Sequence, residues 1–265
     1  MEKLKSIISA HLEEITGKHS GPRQSDRQQV LEATLQAERG DGTESLLLLA
    51  PYLTLSGSIN KCGIAFVLAT AKQYKKFKFW ARDFILLFPG LGLESRQGVL
   101  DDVESWLAAF HETALQGTTA QAHLPDRGTA IQAGISIEFE GINCDGAFAD
   151  PEVYIEGPNG LLPNLDLINT MVMTERHRAG KLEVMPKNCA WYSLWRSAGK
   201  VSKYLQSLVH VTTMMARQAF GYPVFAHGPL LKYRIDSVSL AFHQIDTEQA
   251  SDAADRNMFE YCILH

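Results

Sequence analysis

The sequence has no apolar run long enough to cross a membrane. Its longest apolar runs, at 46–50, 64–71 and 84–88, are far shorter than the roughly 20 residues that a spanning helix needs. Residues 2–16 form an amphipathic helical pattern without the uninterrupted apolar centre of a secretory signal. We therefore expect neither a membrane span nor a signal peptide within these 265 residues.

The motifs of several enzyme and binding classes are also missing. The four cysteines form no CxxC pair, which disfavours a structural zinc site or a thioredoxin-like site, and they do not indicate a cellular compartment. There is no GxSxG, GxGxxG or GxxxxGKS/T motif and no HExxH helix, so serine-hydrolase, nucleotide-binding and single-helix zinc-protease chemistry lack support. The net charge of −5 gives no support to nucleic-acid binding.

Strand patterns alternate along the chain with amphipathic helix patterns. Three segments, 45–50, 83–88 and 131–138, have the apolar or alternating character of strands with buried faces, and 30–37 indicates an edge strand. Such alternation is typical of α/β folds, so we predict one domain over 1–265, a three-layer α/β/α sandwich with a mixed, mainly parallel sheet. Further predicted strands are 153–155 and 237–242, and the predicted helices are 2–16, 64–74, 99–112, 165–173, 200–219 and 250–264.

The strand at 131–138 ends in the first candidate for a functional residue. Glu138 stands at its C-terminal end, where α/β sheets usually bind ligands. Farther along, Pro163 keeps the residue before it out of helical geometry, so that Asn164 or Asp166 can cap or charge the start of the next helix. The alternative interpretation is a core strand and a capped helix without chemistry.

Basic and aromatic residues are interleaved in the run KQYKKFKFWAR at 72–82. The simpler interpretation is a solvent-exposed helix end followed by a turn. The alternative is a contact with phosphate or lipid head groups.

Several segments together resemble a known family. In order they are LLLLAPY, NKCGIAFVLATAKQY, ARDFILLFPG and SWLAAFHE, followed by RGTAIQAGISIEFEG, GLLPNLDLIN and RQAFGYPVFAHGPLLKYRIDSVSL. Between residues 25 and 245 the chain resembles the luminal domain of the glycosylphosphatidylinositol (GPI) anchor attachment proteins, the aminopeptidase-like subunits of GPI transamidase. The most specific pieces are the IQA strand, the LPNLDL run and HGPLLKYRIDSVSL after RQAFG.

This resemblance implies a membrane protein of the endoplasmic reticulum whose luminal domain has the fold of di-zinc aminopeptidases. The transamidase removes a C-terminal signal from a proprotein and joins the new C-terminus to the ethanolamine amine of a GPI lipid, while a separate caspase-like subunit supplies the catalytic residues. We therefore expect an excised luminal domain whose membrane attachment lies in segments absent from this chain. Its expected partners are the other transamidase subunits, the GPI lipid and the proprotein signal, with no nucleic acid.

Most metal ligands of an aminopeptidase are missing when the family pattern is carried over. The pattern implies His-x-Asp at 51–53, a bridging aspartate at 60 and a Glu-Glu pair at 89–91, where the chain has Pro-Tyr-Leu, Asn60 and Pro-Gly-Leu. Only Glu138 and His227 match the acid and the histidine that the pattern requires later in the chain. Because catalytic zinc usually takes three protein ligands, we expect no zinc, no other cofactor and no catalytic residue.

Two classes of function remain open. The first is a non-catalytic module that binds GPI lipid or proprotein beside another subunit's nucleophile. The second is a metal-dependent peptidase or peptide-bond-forming enzyme with one metal, held by Glu138, His227 and an acid near Asp145 or Asp150. For the first class we predict a ligand-binding rim around the former active-site cleft; the alternative is that the same residues only cap helices and satisfy backbone donors. The predicted rim residues are Glu138, Asn164, Asp166, His227 and Gly228.

Overall fold

The structure is a computed structural model of the chain, and the part that it describes contains one sheet and the helices that cover it. Within this part, no helix is both long and apolar enough to cross a membrane. The described ranges are 2–16, 23–25, 28–91, 95–111, 130–141, 151–177 and 225–244, with the single residues 144, 148, 208, 211, 212, 215, 216, 218, 219, 221 and 223.

A seven-stranded sheet forms the centre of the fold. Its strands are β1 (Arg23–Ser25), β2 (Gln28–Leu35), β3 (Glu44–Leu49), β4 (Asp83–Phe88), β5 (Ala130–Glu140), β6 (Glu152–Tyr154) and β7 (Asp236–His243). They lie in the order β1-β2-β4-β3-β5-β7-β6. The inner strands β4, β3, β5 and β7 are parallel, and antiparallel strands extend the sheet at both ends. The three strands predicted at the centre therefore share one sheet, as expected.

Helices cover both faces of this sheet. They are α1 (Glu2–Thr16), α2 (Lys61–Lys76), α3 (Arg96–Phe110), α4 (Leu165–His177) and the short α5 (Gly228–Lys232). α1 and α2 pack on the face that presents Leu48 and Leu86, whereas α3 and α5 pack on the face that presents Leu47 and Leu87. Since successive side chains of a strand point to opposite faces, this arrangement confirms the predicted three-layer α/β/α fold.

Two of the inner strands, β3 and β4, are almost entirely apolar because helices cover both faces of the sheet. All six residues of β4 are buried, as expected for a strand flanked by neighbours on both sides. The alternating strand predicted at the edge is β2, and this prediction is wrong in one respect. The three-residue β1 pairs with β2, so β2 lies one position in from the edge.

One disulfide bond joins two cysteines that sequence spacing could not pair. Cys62 in the first turn of α2 is bonded to Cys144, which follows β5. The bond therefore fixes the segment after β5 against the start of α2. The other two cysteines, Cys189 and Cys262, lie outside the described residues, as do the predicted helix at 250–264 and much of the predicted helix at 200–219.

Candidate functional site

Glu138 lies near the carboxyl end of β5 and is completely buried. Its Oε1 accepts a hydrogen bond of 2.6 Å from Nη2 of Arg96, which is the first residue of α3. Burial raises the pKa of Glu138, and the charge and hydrogen bond of Arg96 oppose this rise. The arginine is therefore the group that most strongly opposes this rise in the pKa of Glu138.

His227 directly precedes α5, and its side chain is also completely buried. Its Nδ1 lies 2.7 Å from the hydroxyl oxygen of Ser239 on β7, and its backbone carbonyl accepts a hydrogen bond from the hydroxyl of Ser237. Burial lowers the pKa of His227 to about 3, against the opposing effect of the backbone carbonyl of Glu156. The imidazole is therefore neutral at physiological pH.

Glu138 and His227 face the same side of the sheet, near Arg96. β5 and β7 pair in parallel with Ser136 opposite Ser239, the residue that contacts His227. The central carbon of Arg96 lies 5.6 Å from the centre of the Phe225 ring, and that ring centre is 6.4 Å from the centre of the His227 ring. The positive charge of Arg96 also contributes to the low pKa of His227. Among the described residues, Glu138 Oε2, His227 Nε2 and Ser136 Oγ are buried without a hydrogen-bond partner.

The loop of residues 53–59, here called the cap loop, folds over this edge of the sheet. Its two ends form a β-bridge. Nη1 of Arg96 donates a hydrogen bond to the carbonyl of Leu53, and the backbone N–H of Ser56 donates one of 3.1 Å to Oε1 of Glu140. The cap loop therefore covers the ion pair, while its tip stays exposed to solvent.

A second charged group lies beside the first at the carboxyl edge of the sheet. Nδ1 of His243, the last residue of β7, is 2.9 Å from Oε2 of Glu140, and its Nε2 is 3.4 Å from Oε2 of Glu152. The hydroxyl of Tyr154 donates a hydrogen bond of 3.0 Å to the same oxygen of Glu152. Glu140 and then Glu152 raise the pKa of His243 to about 9. The charged imidazole thus joins β5, β7 and β6.

Stability should depend on pH through His243. Its pKa is raised from 6.5 to about 9 on folding, so its contribution is complete below pH 6.5 and is lost as the pH rises through 9. We expect the free energy of unfolding to fall by roughly 2 kcal/mol between these two pH values. Urea unfolding across this pH range measures the change. His243→Gln should flatten the profile and the exposed control His11→Gln should not; an unchanged profile in His243→Gln would contradict the prediction.

Asn60 ties together the segments beneath the cap loop. Its Nδ2 donates hydrogen bonds to the carbonyls of Pro51 and Ile137 at 3.0 and 2.8 Å. Its Oδ1 accepts from the backbone N–H groups of Gly63 and Phe139, both at 3.0 Å. A carboxamide has two donors and two acceptor lone pairs, and here all four are used. The position that the family pattern assigns to a bridging metal ligand therefore has a structural role.

The predicted rim does not form one surface, and this part of the prediction is wrong. Glu138 is buried near the carboxyl edge, opposite Ala241 of β7. Asn164 and Asp166 are exposed near the other edge, where the backbone N–H of Asn164 donates to Oδ1 of Asp236 at the start of β7. The physical reason is that β6 runs antiparallel to β7 and carries the chain back to the amino edge. A binding role for these residues stays a prediction.

Two of the rim residues have structural roles in their own surroundings. Asn164 Oδ1 accepts a hydrogen bond of 3.1 Å from the backbone N–H of Asp166, so it caps α4 as the alternative interpretation held. A Cβ atom on Gly228 would lie 2.0 Å from Cβ of Pro223, so this glycine is required for packing.

The predicted additional acids, Asp145 and Asp150, lie outside the described residues.

The basic run at 72–82 has the features of a solvent-exposed surface. It covers the last turns of α2 and the turn that follows. Lys72, Lys78 and Arg82 each form an ion pair with a glutamate, and more than half of each basic side chain is exposed. This agrees with the simpler interpretation of the run, because exposed pairs of this kind are common and weak.

The residues at the site do not fit a catalytic zinc ion. Two donor atoms without partners, Glu138 Oε2 and His227 Nε2, are present, but catalytic zinc takes three protein ligands. No group of three or more His, Cys, Asp or Glu residues in the described part of the chain could hold a metal ion. The positive charge of Arg96, fixed beside Glu138, also disfavours a divalent cation at this position.

Comparison with known proteins agrees with this fold. The chain is similar to the LapA aminopeptidase of Legionella pneumophila, with a TM-score of 0.52 and 10% identity over 89% of this chain and 53% of that one. It is 30% identical to the GPI transamidase component gaa1 of Schizosaccharomyces pombe over 78% of this chain, and 28% identical to GAA1 of Saccharomyces cerevisiae over 59%. The matched regions span only 33% and 22% of those two proteins.

The fold is thus that of an aminopeptidase-like α/β/α domain whose site has a buried arginine–glutamate pair and no complete metal-ligand set among the described residues. The model of the Gaa1-like family, GPI transamidase component, matches residues 29–257. The chain belongs to this family, which confirms the resemblance that its sequence segments indicate.

Proposed function

We propose that this chain is a non-catalytic domain of GPI transamidase that supports attachment of GPI anchors to protein C-termini by binding the GPI lipid or the proprotein. The observation that carries the proposal is the Arg96–Glu138 ion pair. Hydrolysis or transfer of an acyl group needs an activated nucleophile or a general base. Glu138 is engaged by a guanidinium and covered by the cap loop, and His227 is a neutral, buried residue bonded to Ser239.

The disulfide supports a position in the lumen of the endoplasmic reticulum. Disulfides form and persist in oxidising compartments such as this lumen and are rare in the cytosol. The Cys62–Cys144 bond is therefore what a luminal domain would contain. In the proposed setting, the partners are the other transamidase subunits, and membrane attachment lies in parts of the protein outside this chain.

Among the described residues, we propose the tip of the cap loop as the surface that contacts the GPI lipid or the proprotein. It lies at the carboxyl edge of a mainly parallel inner sheet, where α/β proteins usually bind ligands. Leu55 and Ile59 are exposed by 43% and 38%, and the hydroxyls of Ser56 and Ser58 lie 3.2 Å apart between them. The tip thus offers both apolar area and hydrogen-bonding groups, while Arg96 and Glu140 hold it from beneath.

We expect the double substitution Leu55→Ser and Ile59→Ser to reduce GPI attachment at least threefold without changing the melting temperature, because both side chains are exposed. Attachment is measured as the surface level of a GPI-anchored reporter. The host cells lack their own copy of the protein and receive the full-length variant. Asp166→Ala, at the other edge of the sheet, tests the predicted rim in the same assay.

Ile7→Ser is the matched control, because Ile7 is an exposed apolar residue of α1. It should leave attachment unchanged. His227→Ala is less informative, since removal of a buried side chain is expected to lower stability as well. Normal attachment in the cap-loop variant and in Asp166→Ala would refute both proposed contact surfaces. A loss of attachment that follows a loss of melting temperature would show a folding effect only.

A further inference from the structure

The guanidinium of Arg96 is held from several sides within the covered site. Nη2 lies 2.6 Å from Oε1 of Glu138, and Nη1 donates to the carbonyl of Leu53. Its central carbon lies 5.6 Å from the centre of the Phe225 ring, a distance at which a cation interacts favourably with an aromatic face. Only 17% of the Arg96 side chain is exposed, and none of the Glu138 side chain. The positive charge therefore has a fixed position.

We propose that Arg96 is the resident cation of this site, which pairs with Glu138 and excludes a divalent metal ion from the space between Glu138 and His227. This inference rests on the proposed non-catalytic function and attributes the exclusion of a metal ion to one residue. Arg96 acts as a positioning residue, because its fixed charge links β5, the start of α3 and the cap loop. An arginine suits this role, since its planar fork binds several acceptors at once and is more weakly hydrated than an ammonium group.

The donor atoms at the site explain why Arg96 determines whether a metal ion can bind. Glu138 Oε2 and His227 Nε2 have no partner of good hydrogen-bond geometry in the described structure, although the backbone of Leu55 affects the pKa of Glu138 and the backbone of Glu156 that of His227. Carboxylate oxygen and imidazole nitrogen are both atoms that bind zinc. The other carboxylate oxygen of Glu138 is taken by Arg96. A metal ion bound to the two free atoms would lie beside a fixed like charge in a covered site, where solvent screens little. Removal of the guanidinium should therefore do two things: leave Glu138 without a counter-charge and make the site more accessible to a cation.

The first test is zinc binding by the 265-residue chain and its variants. Each protein is equilibrated with zinc in competition with a chelating indicator, and bound zinc is counted by elemental analysis after gel filtration. We expect no stoichiometric zinc in the wild type. Arg96→Met should bind zinc at least tenfold more tightly than the wild type, and Glu138→Gln in the same chain should abolish the gain. Arg96→Lys retains the charge and should behave as the wild type.

Arg82→Met is the matched control for loss of one arginine. Arg82 forms an exposed ion pair with Glu44 at the amino end of β3, whereas Glu138 lies near the carboxyl end of β5. Arg82→Met should leave zinc affinity at the wild-type level, and adding Glu138→Gln to it should not change that affinity. A tenfold gain of zinc affinity in this control would show that net charge, and not the fixed guanidinium, governs binding, which would overturn the inference.

The second test keeps the inference falsifiable if Arg96→Met folds poorly. Loss of one partner of a buried ion pair leaves the other uncompensated, so Glu138→Gln should partly restore the stability of Arg96→Met. If the two substitutions acted independently, the factors by which each one raises the unfolding constant would multiply in the double variant. We expect the unfolding constant of the double variant to be at least tenfold smaller than this product predicts.

The outcomes separate this inference from the proposed function. A wild-type chain that binds one zinc ion, and loses it in Glu138→Gln, would overturn both. A zinc-free wild type whose Arg96→Met variant gains no affinity and shows no coupling to Glu138→Gln would overturn only the role of Arg96. Failure of both Arg96→Met and the double variant to fold would also overturn only the role of Arg96. In those two cases the reporter assay for GPI attachment still tests the proposed function.

Discussion

Asn60→Leu should lower the free energy of unfolding by at least about 4 kcal/mol. The leucine removes four hydrogen bonds, to the carbonyls of Pro51 and Ile137 and from the N–H groups of Gly63 and Phe139. All four backbone groups lose their side-chain partner in a buried place, and each buried polar group left unpaired costs about 1–3 kcal/mol. Urea unfolding of wild type and variant measures the difference. A loss below about 1 kcal/mol would mean that water replaces the side chain.

Asn60→Asp is the sharper companion to this variant, because it restores the residue type that an aminopeptidase pattern requires. The carboxylate retains an acceptor for Gly63 and Phe139 but directs an oxygen at the carbonyls of Pro51 and Ile137. Both the burial and these two carbonyls favour the protonated acid. The stability of Asn60→Asp should therefore be greater at low pH and be lost as the pH rises. A variant as stable as the wild type at pH 8 that also binds zinc would contradict a structural role for Asn60.

Local sequence patterns were sufficient to predict the centre of the sheet. β4 has the predicted bounds, because a short apolar run between turn signals is a strand in most surroundings. Glu138 could be located for the same reason: it follows an alternating strand, and the carboxyl ends of the parallel strands meet at one edge. The helices α1 to α4 were predicted with ends that differ by at most a few residues, whereas α5 was not predicted.

The partner of Glu138 could not be predicted, because it depends on a distant contact. Arg96 is 42 positions away in the chain and belongs to no motif. The only signal is its place at the start of α3, just beyond the carboxyl end of β4. His243 and Glu152 were missed for a similar reason, since the antiparallel pairing of β6 with β7 brings them together and no local pattern encodes it.

The position of Asn164 shows how one short strand can misplace a predicted site. β6 has only three residues, and such a segment gives little indication of its direction. Because it is antiparallel to β7, the chain leaves it at the amino edge of the sheet. Asn164 and Asp166 therefore lie where α4 begins, away from Glu138. A parallel β6 would have brought them to the carboxyl edge, as the single-rim prediction required.

The disulfide was beyond prediction because four cysteines allow several pairings. The pairing of Cys62 with Cys144 closes a loop over a sequence separation of 82. In the chain-entropy model, a disulfide that closes a loop of this length stabilises the folded state by about 4.5 kcal/mol. The measured stabilisation by a disulfide is typically about 2–4 kcal/mol. This loop contains α3 and two of the seven strands, β4 and β5, so the bond constrains a central part of the unfolded chain.

Replacement of both Cys62 and Cys144 with alanine should therefore lower the free energy of unfolding by about 3 kcal/mol and the melting temperature by about 6–12 °C. Cys189→Ala is the matched control and should leave the melting temperature unchanged. A reducing agent should shift the wild type and Cys189→Ala by a similar amount and leave the double variant unaffected, because only the first two proteins retain the bond. If reduction shifts the double variant as much as the wild type, the stabilising disulfide involves other cysteines and the assigned pairing is wrong.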